Sequence, residues 1–74
     1  MNTSKDELKL TLDLAERVRD LRLEQGWTRR ELADRIDATV MYVHWLENGH
    51  VSPAVRMLEK LASAFGVELR VELG

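Results

Sequence analysis

Apolar positions along this chain follow two periods. From about Leu12 to Gln25 they recur three or four residues apart, at Leu14, Val18 and Leu21, and the segment stops at Gly26. That spacing predicts a first helix. A second, shorter helix is predicted from Thr28 to about Ile36. It opens on a capping box, in which Thr28 and Glu31 each satisfy a free backbone N–H of the other. Leu32, Ala33 and Ile36 form its inward face, and the small Ala33 lets another helix cross closely. Trp27, directly before the capping threonine, reads as an apolar staple folded back on that helix. Asp37 stands where the chain must turn sharply. Thr39 is the expected N-cap of a third helix, with Val43 and Leu46 facing inward and Gly49 closing it. Ser52 and Pro53 read as the cap and first residue of a fourth helix. Its stripe is Leu58, Leu61, Ala62 and Phe65, and Gly66 ends it.

The two ends of the chain alternate with period two, in ELKLTLDL (7–14) and VELRVEL (67–73). On a helix at about 100° per residue, Leu8 and Leu12 point roughly opposite to Leu14 and Leu21. On a strand Leu8, Leu10 and Leu12 share one face. The reading favoured here is a short N-terminal strand, with the first helix beginning after Thr11. One long helix capped by Ser4 with Glu7 is the open alternative. The C-terminal segment places Val67, Leu69, Val71 and Leu73 on one face of a strand and Glu68, Arg70 and Glu72 on the other. An isolated strand is not stable in water. Its partner is residues 7–12, the same strand of a second copy, or both, and those four apolar residues are the expected dimer contact. The predicted architecture is mainly α: a compact four-helix domain over residues 1–74, with a short C-terminal β-strand at about 67–73.

The middle of this pattern, WTRRELADRIDATVMYVHWLENGHVSP, is two short amphipathic helices joined by a tight turn. That is the outline of a helix-turn-helix, at about residues 28–48, whose second helix lies in the DNA major groove. Composition qualifies the picture. A chain of 74 residues is near the lower limit for a self-sufficient core. It contains no cysteine, so neither a disulfide nor a thiolate-metal site can help, and pairing with a second copy is a common remedy. An apolar content of 45% excludes a disordered tail. No apolar run is long enough to span a membrane, and MNTSKDELK lacks a secretion signal, so a cytoplasmic protein is expected.

Net charge is −2 and the pI about 5.6, against the basic footprint usual for a DNA-binding domain. The distribution matters more. Residues 17–35 hold six arginines against four acids, a net of +2, whereas residues 1–16 hold two lysines against four acids, a net of −2. Weak non-specific DNA binding and dependence on a paired, specific site are therefore expected.

From Leu21 to Leu69 the pieces LRLEQGWTRRELADRI, DATVMYVHWLENG and SPAVRMLEKLASAFGVEL, in that order, resemble the Cro/CI family, also called the XRE family, of helix-turn-helix DNA-binding proteins. The GWT opening and the tail after FGVEL resemble its HipB-like antitoxins. The resemblance implies a lambda-repressor-like fold and a homodimeric transcriptional regulator, a repressor bound to a palindromic double-stranded operator and so held at the nucleoid. Its narrower implication is an antitoxin with a HipA-type kinase toxin as protein partner. The resemblance also implies roles. Arg29 replaces the usual glutamine at the start of the second helix, where it touches a phosphate, with Thr28 and Arg30 beside it. Thr39, Val40, Met41, Tyr42, His44 and Trp45 belong to the recognition helix, and Asn48 and His50 follow it near the DNA backbone. Arg22 and Glu47 match a pair that braces the first helix against the third.

Three departures from the family pattern carry physical consequences. Asp37 replaces the turn glycine, and aspartate tolerates positive φ better than most residues. Val40 and Met41 cannot make bidentate hydrogen bonds, but they can contact a thymine methyl group. Trp45 either packs along the sugar-phosphate edge or marks an apolar patch for a protein partner.

Other signals are weaker. His44, Glu47 and His50 form an H-x-x-E-x-x-H string, but Gly49 interrupts the helix and Glu47 is the partner of Arg22, so no metal is expected. Arg17 and Arg19 read as a solvated face. With no glycine-rich phosphate loop and no nucleophile spaced beside a base, neither an enzyme nor a cofactor is expected. Two functions stay open: sequence-specific DNA binding, and a protein-interaction module that grips its partner through Val40, Met41 and Trp45.

Overall fold

The computed structural model describes the backbone of residues 4–68 and the side chains from Leu12 to Glu68. Four helices follow in order: α1 (Ser4–Gln25), α2 (Arg29–Arg35), α3 (Val40–Glu47) and α4 (Val55–Phe65). No strand occurs among the described residues.

The N-terminal strand expected over residues 7–12 is not formed, because that segment belongs to α1. The expectation rested on Leu12 pointing away from Leu14 and Leu21. The buried arc of α1 is wider than that leucine stripe. Ala15 and Arg22 are buried with Val18, and at 100° per residue they lie on the Leu12 side of it. Leu12 itself lies against the turn after α3, its Cδ2 occupying the space that a Cβ on Gly49 would need. One helix therefore accommodates Leu12 together with Leu14 and Leu21. The predicted C-terminal strand lies outside the described residues from Leu69 onward, together with Val71 and Leu73. Val67 and Glu68, which are described, are not in a strand.

The fourth helix starts later than its sequence signals. Its N-cap is Ala54, with no side-chain cap bond, and the first helical residue is Val55 rather than Pro53. The proline ring keeps Ser52 out of the helical region, and Val51 packs against the core.

All four helices end in one way. In each, a residue one position (α1, α4) or two positions (α2, α3) past the last helical residue takes a left-handed conformation, and the next N–H bonds back five residues. Those bonds are Trp27 N to Arg22 O at 3.1 Å, Ala38 N to Ala33 O at 2.9 Å, His50 N to Trp45 O at 2.9 Å and Val67 N to Ala62 O at 3.0 Å. This is the Schellman closure. Glycine occupies the left-handed position three times; between α2 and α3 it is Asp37, at φ 56°.

The core is formed by Val18 of α1, Leu32, Ala33 and Ile36 of α2 and its end, Val43 and Leu46 of α3, and Leu61 and Phe65 of α4. Trp27 joins the α1–α2 connection to α4 by stacking on Phe65, with ring centroids 5.6 Å apart and planes 17° from parallel. The Arg35 guanidinium lies over the other part of this arrangement, 4.1 Å from the Trp27 ring centroid, within range of a cation–π attraction.

Two predictions follow from the helix ends. Asp37→Gly relieves the left-handed strain and is expected to raise stability by about 0.5 kcal/mol, whereas Asp37→Val lowers it by about 1–2 kcal/mol. Thermal unfolding of both variants checks this, and a glycine variant melting below the wild type overturns it. The second concerns pH. Thr28 N donates to Glu31 Oε1 at 2.8 Å and Glu31 N to Thr28 Oγ1 at 3.1 Å. The bond from the Thr28 backbone, then that from its side chain, hold the Glu31 carboxyl below its ordinary 4.5. A depressed folded-state value stabilises above the unfolded value and loses that contribution as pH falls through the folded one. Between about pH 5 and 3, Glu31→Gln is therefore expected to lose less stability than the wild type in parallel urea titrations.

Candidate nucleic-acid interface

The α2–turn–α3 unit is positioned from beneath by one carboxylate. Glu47, near the end of α3, has a side chain only 1% exposed. Its Oε2 accepts from Arg22 Nε at 2.5 Å and its Oε1 from Arg22 Nη2 at 3.1 Å, a bidentate pair whose planar fork fixes direction as well as distance. Arg22 Nη1 also donates to Trp27 O at 2.8 Å. A second arginine reaches the same carboxylate, since Arg29 Nε donates to Glu47 Oε1 at 3.2 Å. Glu47 thus ties α1, the α1–α2 connection, α2 and α3 to one point. Among the described residues no buried side-chain N or O atom lacks a partner.

With Glu47, Val43 and Leu46 turned inward, the opposite face of α3 is left open. Val40, Met41, His44 and Trp45 are exposed there, and Thr39, Asn48 and His50 continue it at either end. Trp45, His44, His50 and Val51 line a shallow groove beside the C-terminal turn. Tyr42 is half-buried and packs against the core, where burial pushes its hydroxyl above the ordinary phenol value. On α2, Thr28 and Arg30 are exposed and Arg29 is partly so.

Several of these polar groups already hold local partners. Thr28 Oγ1 and Thr39 Oγ1 each accept a backbone N–H, from Glu31 and Tyr42 respectively; the Thr28 hydroxyl is also turned to the Glu31 carboxyl, whereas Thr39 keeps its hydroxyl proton to donate. Asn48 Nδ2 donates to His44 O at 2.7 Å and lies 3.4 Å from His44 Nδ1. The string His44, Glu47, His50 does not converge: Glu47 is buried in its ion pair while both histidines are exposed. Among the described residues no group of three such side chains could hold a metal ion, and no helix is long and apolar enough to cross a membrane.

Sequence reasoning paired Arg22 with Glu47 but gave Arg29 a single, outward role. The structure gives it an inward hydrogen bond as well. A lone arginine three residues past a glycine carries no sequence signal that it turns toward a glutamate eighteen positions away. The bond from Asn48 to His44 was equally invisible, although their spacing of four puts them on one helix face.

Two short helices meeting at a tight turn, the second with its outer face free, define a helix-turn-helix protein. A family model described as helix-turn-helix matches residues 18–71. The chain belongs to this family, the Cro/CI (XRE-type) helix-turn-helix proteins. Among curated relatives, it is 36% identical over 56 residues to the HTH-type transcriptional regulator DdrOP3 of Deinococcus deserti, covering 76% of this chain and 43% of that protein. It is 41% identical over 54 residues to the competence pilus inhibition repressor of Acinetobacter baylyi, covering 73% of this chain and 49% of that protein. The chain thus spans less than half the length of these two relatives. Among solved structures, the restriction-modification controller protein C.AhdI of Aeromonas hydrophila superposes with a TM-score of 0.79 at 27% identity, over 85% of this chain and 91% of that one.

Removing one partner from the buried pair strands the other charge, at a cost of about 3–5 kcal/mol. Glu47→Ala is expected to fall in that range. Arg29→Ala loses only a partly exposed contact and is expected to cost less than about 1 kcal/mol. The double variant Arg22→Met, Glu47→Leu is expected to be more stable than either single change, because it leaves no buried charge unpaired; Arg29, which loses its bond to Glu47, is partly exposed. Urea denaturation of the set decides it; a double variant at least as unstable as Glu47→Ala sinks the account.

Proposed function

We propose that this chain binds double-stranded DNA in a sequence-specific manner as a homodimeric transcriptional regulator of the repressor type. The observation that carries this reading is the free outer face of α3, held at a fixed angle to α2 by the Glu47 carboxylate. In this reading α3 enters the major groove. Thr39, Val40, Met41, His44 and Trp45 face the bases and their sugar edges, with Tyr42 supporting the helix from its inner side. Thr28, Arg29 and Arg30 approach phosphates from the start of α2, and Asn48 and His50 from the end of α3. Arg29 serves twice, since only its Nε is engaged by Glu47. Repression accords with the name of the Acinetobacter relative. A homodimer suits a small core with an apolar groove between α1 and α4, lined by Leu14, Leu21, Leu58 and Val67 among others.

The same exposed face supports a second reading. Val40, Met41 and Trp45 are 38%, 54% and 46% exposed, and an apolar strip rimmed by polar residues also suits a protein partner. The HipA-type kinase expected of an antitoxin belongs to this second reading, in which Trp45→Ala removes capture of the partner and leaves DNA behaviour unchanged.

Selection from a random duplex library at physiological salt separates the two. Enrichment of a two-fold symmetric site, with half-sites about one helical turn apart, is the expected result. Arg30→Ala is then expected to weaken binding to every sequence alike and to reduce the salt slope by about one. A chain that enriches nothing is not a sequence-specific DNA binder, and the protein-partner reading replaces it.

A further inference from the structure

The outer face of α3 is poor in the groups that usually read bases. Bidentate recognition of guanine takes an arginine or lysine, and that of adenine takes both ends of an asparagine or glutamine amide. From Thr39 to His50 there is no arginine, lysine or glutamine. The one asparagine, Asn48, has its amide N–H group turned onto its own helix, 2.7 Å from His44 O. His44 faces that amide through Nδ1, which leaves Nε2 as a single-point contact. Thr39 Oγ1 is the helix cap. Glu47 is buried. The first turn of α3, the part of a recognition helix that reaches base edges, instead presents Val40 and Met41, with Trp45 one turn further on.

We propose that this face selects bases through the C5 methyl groups of pyrimidines in the major groove. The inference rests on the DNA-binding reading and names what that site recognises. Thymine carries an apolar methyl at this groove edge, and a cytosine methylated at C5 presents the same group at the same edge. A branched alkyl side chain and a thioether can cover such a methyl and exclude water from it, and neither needs a hydrogen-bonding partner that the face lacks. Uracil keeps every hydrogen-bonding atom of thymine and lacks only the methyl, so it isolates the contact.

Three random duplex libraries test this with the full chain: one with thymine and cytosine, one with uracil in place of thymine, and one with uracil and 5-methylcytosine. The site enriched from the first library is then remade with uracil at single positions. We expect at least two positions per half-site where uracil weakens binding about fourfold, the contribution of one buried methyl. Met41→Ala, at an exposed position that leaves the core intact, is expected to erase the difference at one of them. Enrichment from the uracil and 5-methylcytosine library but not from the uracil and cytosine library identifies methylated cytosine as a second source of the group. Enrichment from the first library alone leaves thymine as the source. Enrichment from the methyl-free uracil and cytosine library as strong as from the first overturns the inference. Equal affinity for thymine and uracil at every position, with a site enriched, overturns the inference and leaves DNA binding standing. Enrichment from no library overturns the DNA-binding reading, and this inference with it.

Discussion

The fold depends on a carboxylate that has no access to water. Glu47 sits where three helices come within reach of one another and is met by two guanidinium groups. Burial of a charge is tolerable only when partners replace its water shell. Arg22 replaces most of it with a two-point fork, and Arg29 adds a further bond to Oε1. The apolar core alone could tolerate small changes in how α3 crosses α1, because dispersion forces have little directional preference. A fork on a carboxylate tolerates much less. The orientation of the outer face of α3 is thus set from inside the protein, by a polar contact that the face itself does not include.

What the sequence made legible follows from how local each signal is. Capping boxes, N-cap hydroxyls and left-handed closures involve residues within six positions of one another. Thr28 with Glu31, Thr39, Gly49 and Gly66 could therefore be assigned from spacing alone, whereas the left-handed turn at Asp37 came from the family resemblance. The pairing of Arg22 with Glu47 joins positions 25 apart and came from family resemblance; spacing alone does not contain it. The N-terminal strand failed for a definable reason. Period-two alternation and a broad helical face share residues when the face is widened by an alanine and by a buried arginine stem, and only the packing partner reveals the width. Stacking of Trp27 on Phe65 lay beyond sequence reasoning too, because it joins a loop to a helix nearly forty residues on.

The charge distribution takes on a different meaning once the side chains are placed. Of the six arginines between residues 17 and 35, Arg22 is consumed by the core carboxylate, Arg29 is shared with it, and Arg35 covers an indole ring. The basic excess of that segment is therefore smaller at the surface than in the sequence. Such a protein has little general attraction for a polyanion, and under the proposed DNA-binding reading a chain of net charge −2 relies on shape and on specific contacts. The proposed apolar readout by the outer face of α3 is compatible with that economy of charge, since it would add discrimination without adding affinity for every phosphate.

The two tryptophans occupy opposite environments. Trp27 is in contact with both an aromatic ring and a guanidinium within the fold, while Trp45 stands 46% exposed on the outer face of α3. Their emission separates accordingly. Trp27 reports whether the helices are assembled, and Trp45 reports whether anything has covered the surface. A single untagged sample thus carries two intrinsic optical probes, one for folding and one for occupancy.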